Sequence, residues 1–199
     1  MVYEDPEDKS SRPVDVIYSA PSVTPYSQFN PAYRIYTIDG QYPGSSYQVI
    51  DFEEHILNLT VANQPPYDPL WTSLYPSVVQ EYGMSANLPS EWSNLIDRMK
   101  YDDQLFGKYL KNFYRRTNYP SCNEECRMNH LCSARKAHHS TKLCSDLKGA
   151  TGVLRDDHPR PRGPPTSWNE QRRKHTAARM NKNFDKFYYK EMTELFGAV

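Results

Sequence analysis

No apolar run in this 199-residue chain approaches the roughly 18 residues that a membrane-spanning helix needs. Hydrophobic residues are few, at 38%, and mean hydropathy is -0.84, so any core must be modest. Met1-Val2-Tyr3-Glu4-Asp5 is acidic where a secretory leader carries basic charge, and no apolar segment follows it, which predicts a chain without a signal peptide. There is no Gly-x-Ser-x-Gly elbow and no phosphate-cradling glycine loop, which removes two common nucleophile and nucleotide readings. The formal net charge is zero, but the charge is unevenly placed. Met1 to Glu54 carries nine acids and three bases, whereas Lys148 to Val199 carries eleven bases and six acids. Solvated surface explains that pattern. A basic tail that touches anionic lipid or an acidic partner also explains it. No nucleic-acid partner is expected.

What the chain has in quantity is tyrosine and proline, sixteen of each. Tyrosine keeps a large apolar body with a wet hydroxyl, so it suits covered surfaces and wet grooves. Four cysteines and the sequon Asn58-Leu59-Thr60 point to the secretory pathway. A leaderless start and secretory chemistry agree if the chain is a fragment of a longer protein.

The segment from Asn30 to Thr60 organises the reading. Tyr33, Ile35 and Thr37 alternate with Arg34, Tyr36 and Ile38, as a half-buried strand requires. Gly40 to Ser46 forces a turn, and Tyr47 to Phe52 gives a second strand that becomes acidic at Asp51, Glu53 and Glu54. Met1 to Pro13 reads as an exposed connector or strand end, and Val14 to Ser19 as a short strand. Pro21, Pro25 and Pro31 break the segment between into a loop. Leu70, Leu74, Val78 and Tyr82 fall four apart and predict a helix over 68–82, kinked at Pro76 and stopped by Gly83. Trp92, Leu95, Ile96 and Met99 predict a second helix. Leu105, Phe106, Tyr109, Leu110 and Phe113 predict a third, capped by Asp102 or Asp103, with Arg115 and Arg116 opposite the negative end of its dipole. Lys148 to Thr166 reads as a basic linker and Trp168 to Phe196 as a helical or disordered tail. Cys122, Cys126, Cys132 and Cys144 admit three disulfide connectivities. Zinc is an alternative with His130, His138 and His139 near, although the wide second spacing is unlike paired knuckles.

NPAYRIYTIDG, the Gly-Ser-Ser turn after it and ILNLT resemble the end of the catalytic region in acid sphingomyelinases and acid-sphingomyelinase-like phosphodiesterases. SRPVDVIYSAPSVTPYSQFNP resembles that family's lead-in, and the likeness covers roughly Ser11 to Leu147. It implies an α+β fold, in which residues 1–63 are the last strands of a metallophosphoesterase domain. Residues 64–147 are then a disulfide-stapled helical C-terminal region, and 148–199 an extension. It implies that neighbouring cysteines pair in order, Cys122 with Cys126 and Cys132 with Cys144. It implies a secreted or lysosomal parent that hydrolyses sphingomyelin to ceramide and phosphocholine with two zinc ions.

The family's last metal ligands lie in a Gly-His-x-His motif just before the SAPS-like run. This chain has no such motif and no histidine before Asn30. His55 reads as an exposed strand-end residue. The chain itself is therefore expected to bind no zinc, to be catalytically silent and to partner an upstream catalytic domain. Its sheet edges and the Trp92 stripe are expected to stay partly uncovered, so that alone it folds incompletely. Asn30 and Tyr33 are candidates for the substrate rim, where a choline head group meets an aromatic face; as plain structure they start a turn and cover a strand. Phospholipid or a membrane surface enters through the parent. The alternative is a non-catalytic secreted module that binds a partner or a membrane through its tyrosines and basic tail.

Overall fold

The computed structural model describes residues 1–25, 28–140 and 142–147. Val2–Tyr3 (β1) pairs antiparallel with Pro13–Asp15 (β2). Ala32–Ile38 (β3), Val49–Leu57 (β4) and Trp71–Tyr75 (β5) form an antiparallel sheet with β4 central. Two four-residue helices, Leu59–Ala62 (α1) and Val78–Glu81 (α2), flank β5. Pro89–Met99 (α3), Asp103–Phe113 (α4) and Glu124–Arg135 (α5) complete the α+β architecture.

β4 orders the core. Phe52, Glu54 and Ile56 alternate inward, and their odd-numbered neighbours stay half-buried on the other face. The turn before β4 is held by Asp39. Its carboxylate accepts the Ser46 N–H and hydroxyl, while Gly44 takes φ +89°. Pro89 opens α3 at its first position, and Asp102 caps α4 by accepting the Leu105 N–H at 2.9 Å.

Several expectations change. Residues 68–82 are not one helix but β5 followed by α2. Trp71, Thr72 and Tyr75 fit a pleated sheet, and Pro76 removes the donor needed to continue. The four-residue spacing is a by-product of that strand–turn–helix path. Ser77 and Asp51 then cap α2, Asp51 accepting the Ser77 hydroxyl at 2.6 Å and the Val78 N–H at 3.1 Å. Gly83, at φ +59°, ends it as expected. β5 lies in the same sheet as β3 and β4, and residues 1–147 fall within one compact unit.

Of the stretch expected as an exposed connector or strand end, Val2–Tyr3 is the strand end, and residues 4–13 are exposed or half-buried. Met1 and Tyr3 are core residues, and the Tyr3 hydroxyl lies 3.3 Å from Ser93 Oγ. Of the expected 14–19 strand only Val14 and Asp15 fall in β2, which begins one residue earlier; Val14 is exposed, while Tyr18 lies beyond the strand and donates to Asn87 Oδ1 at 3.0 Å. Nor is the α3 stripe uncovered. Leu95, Ile96 and Met99 are 2–3% exposed, packed among β2, α4 and α5, and Trp92 stacks on Phe52 at 6.4 Å. Arg115 and Arg116 do more than face a dipole. Both take left-handed φ, and their amides close the end of α4 on Asn112 and Lys111. Their side chains reach away, Arg115 to the carbonyls of Ser22 and Asn30, Arg116 to that of Leu74. The linker and tail expected over 148–199 lie outside the described residues.

Candidate functional site

Tyr33 and His55 are direct partners across β3 and β4, which puts both side chains on the sheet face opposite Phe52, Glu54 and Ile56. Their rings stack at 4.9 Å with planes 7° apart. Trp71, from β5, meets the Tyr33 ring edge-on at the same distance. An aromatic row thus crosses all three strands. Glu53 Oε2 lies 3.2 Å from His55 Nε2, without hydrogen-bond geometry. His55 is therefore not an exposed strand end. It sits inside β4, half-buried by the stack.

Asn30 precedes β3 and makes its contacts elsewhere. It is 5% exposed, its Oδ1 accepts the Leu59 N–H at 3.1 Å, and its Nδ2 donates to the Arg115 carbonyl at 2.9 Å. Arg115 Nη1 donates back to the Asn30 carbonyl at 3.0 Å. Asn30 thus ties the segment before β3 to the start of α1 and to the end of α4. Nothing local in the sequence announces this role, because each partner is distant along the chain.

The opposite face carries charge. Arg34, Glu54 and Tyr75 form a row across the strands. Glu54 Oε2 accepts from Arg34 Nη2 at 2.8 Å and from the Tyr75 hydroxyl at 2.9 Å, and the Arg34 guanidinium lies 4.1 Å from the Phe52 ring centroid. Burial, then the Glu54 charge, pushes the Tyr75 phenol well up. The sequence marks Glu54 only as part of an acidic stretch; its burial follows from β4 continuing to Leu57.

The four cysteines are joined as Cys122–Cys126 and Cys132–Cys144, the pairing the resemblance implies. His130, 3% exposed, is enclosed by the rings of Phe106, Tyr109, Phe113 and Tyr114. Burial lowers its pKa to about 4. Among the described residues, one group of three ligating side chains comes together: Cys122, Cys126 and His130. Two sulfurs tied in a disulfide and one imidazole do not fit a two-metal hydrolytic centre, which needs clustered carboxylate, imidazole and amide ligands. His138 and His139 are exposed, and His138 Nε2 lies 3.1 Å from Glu7 Oε1. Asn58 caps α1, accepting the Thr60 and Val61 amides at Oδ1.

Comparison with known proteins gives one consistent pattern. Residues 12–146 match the family model of the acid sphingomyelin phosphodiesterase C-terminal region. Sphingomyelin phosphodiesterase of Homo sapiens is 44% identical over 144 residues, covering 71% of this chain and 22% of its own length. That of Bos taurus is 42% identical over 144 residues, covering 71% and 23%. Sphingomyelin phosphodiesterase 2 of Caenorhabditis elegans is 35% identical over 150 residues, covering 74% and 24%. The match therefore spans less than a quarter of the length of each of these relatives.

Proposed function

The chain belongs to the acid sphingomyelin phosphodiesterase C-terminal region family, and on that premise we propose that it completes a larger phosphodiesterase that hydrolyses sphingomyelin to ceramide and phosphocholine. The observation that carries the reading is the family match over 12–146, on a chain whose described residues do not fit the hydrolytic metal centre. In this reading zinc, its ligands and the nucleophilic water belong to an upstream domain of the same parent, secreted or lysosomal. The present chain docks on that domain and contributes the aromatic row. Tyr33, flanked by Trp71, meets the choline head group, where a quaternary ammonium gains from an aromatic face. Asn30 contributes by fixing where β3 begins. Phospholipid reaches the chain only through the assembled site.

The test compares phosphocholine release by this chain alone and by the chain joined to its whole upstream catalytic region, both with added zinc. The extended chain should turn over and the short one should not. In the extended chain, Tyr33→Ala should raise KM by roughly thirtyfold, the size of a desolvated cation–π contact of about 2 kcal/mol. Zinc-dependent turnover by the short chain would overturn the reading.

Asn58 is the proposed glycosylation site. Both cap bonds use Oδ1, and a glycan joins at Nδ2, so cap and glycan are compatible. Expressed in a secretory host, Asn58→Gln should lose the mass of one glycan. An unchanged mass would show the sequon to be unused.

A further inference from the structure

Cys122, Cys126 and His130 follow one another at four-residue steps, and the fold brings one potential ligand atom from each within 4.8 Å of the others. Cys126 and His130 share a face of α5, the spacing at which two helical side chains chelate one ion. Cys122 stands just ahead of Asn123, whose Oδ1 caps α5 by accepting the Cys126 N–H at 3.0 Å. The cysteines are half-buried and open to a small reagent, while the imidazole is walled by aromatic rings. The Tyr109 hydroxyl, 3.4 Å from His130 Nδ1, steadies the ring.

We propose that reduction of the Cys122–Cys126 bridge converts this corner into a three-ligand site for one zinc(II) ion, held by the two sulfurs and a His130 ring nitrogen. Two thiolates and an imidazole are a set that borderline-soft cations prefer and that calcium or magnesium do not. The chemistry balances. A dithiol reductant gives up two electrons and closes to its own disulfide; the S–S bond breaks and each sulfur takes one of its protons. Zinc then displaces both thiol protons to solvent. The first turn of a helix favours the thiolate at Cys126. The sulfurs must part to about 3.8 Å, their separation on a tetrahedral zinc. Cys122 makes that movement, since it precedes the helix whereas Cys126 and His130 are fixed within it. A solvent molecule takes the fourth position. The Cys132–Cys144 bridge joins α5 to a later turn and has no such imidazole partner among the described residues.

The test uses the full 199-residue chain, reduced with a water-soluble phosphine that leaves as its oxide and competes weakly for metal. Cobalt(II) stands in for zinc and reports thiolate ligation by its near-ultraviolet charge-transfer band. The reduced chain should bind one equivalent, which zinc displaces, and the oxidised chain should show no band. Cys122→Ser with Cys126→Ser should abolish the band, and His130→Gln should weaken binding by at least about tenfold. Zinc protection against alkylation, mapped by peptide mass, reads the site without substitutions: Cys122 and Cys126 should be shielded, and Cys132 and Cys144 should react. No band in the reduced chain overturns the proposal, as does a band that survives the double serine variant. Shielding of Cys132 and Cys144 instead, or unchanged affinity in His130→Gln, overturns it as well. So does a reduced chain that loses its aromatic dichroism and does not regain it with zinc.

Discussion

Arg135→Ala is expected to cost the fold about 3–5 kcal/mol, read as a drop in the urea midpoint followed by circular dichroism. Arg135 ends α5 and is 1% exposed. Its Nη1 donates to the Leu143 carbonyl at 3.0 Å and to Asp146 Oδ1 at 2.6 Å, and Nη2 donates to Asp97 at 3.0 Å. Truncation leaves a void and strips the carbonyl and Asp146 of their buried donor. Asp97 is 55% exposed at its side chain, so Asp97→Asn should cost under about 1 kcal/mol. Arg135→Met keeps the apolar stem and should fall between.

The same network sets an acid limit. Burial acts to raise the Asp146 carboxyl, but the Lys9 hydrogen bond and the Arg135 charge outweigh it and hold the pKa at about 2, against an ordinary 3.8. The folded state thus binds that proton less readily than the unfolded one. The stabilisation is whole above pH 3.8 and is lost as pH falls through about 2. Asp146 keeps 25% of its side chain exposed, so solvent screening reduces the contribution to about 1–2 kcal/mol. Asp146→Asn should flatten stability across that window. Equal costs for Arg135→Ala and Asp97→Asn would refute the buried-network account.

The parts legible in the sequence are those fixed by local chemistry. The β3–β4 hairpin announces itself by alternation around a glycine-rich turn, and α3 and α4 by apolar stripes behind Pro89 and Asp102. The resemblance supplied the cysteine pairing, which four cysteines alone leave threefold ambiguous. What stayed hidden depends on distant partners. Tyr3 is buried because Ser93 and the α3 region meet it, not because of anything beside it in sequence. Nothing beside Arg135 or Glu54 in the sequence announces their burial, because their counter-charges lie 11 to 38 residues away. β5 was mistaken for helix because a strand, a proline and a short helix happened to repeat apolar residues every fourth position. At the candidate site, Tyr33 was legible as strand surface, but its stacking partner His55 appeared only with the register.

That register gives the other large effect expected, at Glu54. Glu54→Ala should destabilise the chain by about 3–5 kcal/mol, because it leaves the Arg34 guanidinium, 13% exposed, with no carboxylate and the Tyr75 hydroxyl with no acceptor. Arg34→Met should cost a similar amount for the mirror reason, since it leaves the Glu54 carboxyl, 5% exposed, without its guanidinium partner. Replacing both, Arg34→Met with Glu54→Met, removes two desolvated charges together and keeps the volume beside Phe52, so it should cost far less than the sum of the singles. A double-mutant cycle should give about 2 kcal/mol or more of coupling. Single costs below about 1 kcal/mol that simply add would show the pair to be solvated in practice. The consequence for function runs through the backbone. Arg34 and Glu54 are each next to a member of the stack on the other face, Tyr33 and His55, so their pairing holds β3 and β4 in the register that stacks those rings. The Glu54→Ala chain should therefore lose near-ultraviolet dichroism from the Tyr33–His55–Trp71 row before it loses helix signal, whereas the double methionine variant should keep both.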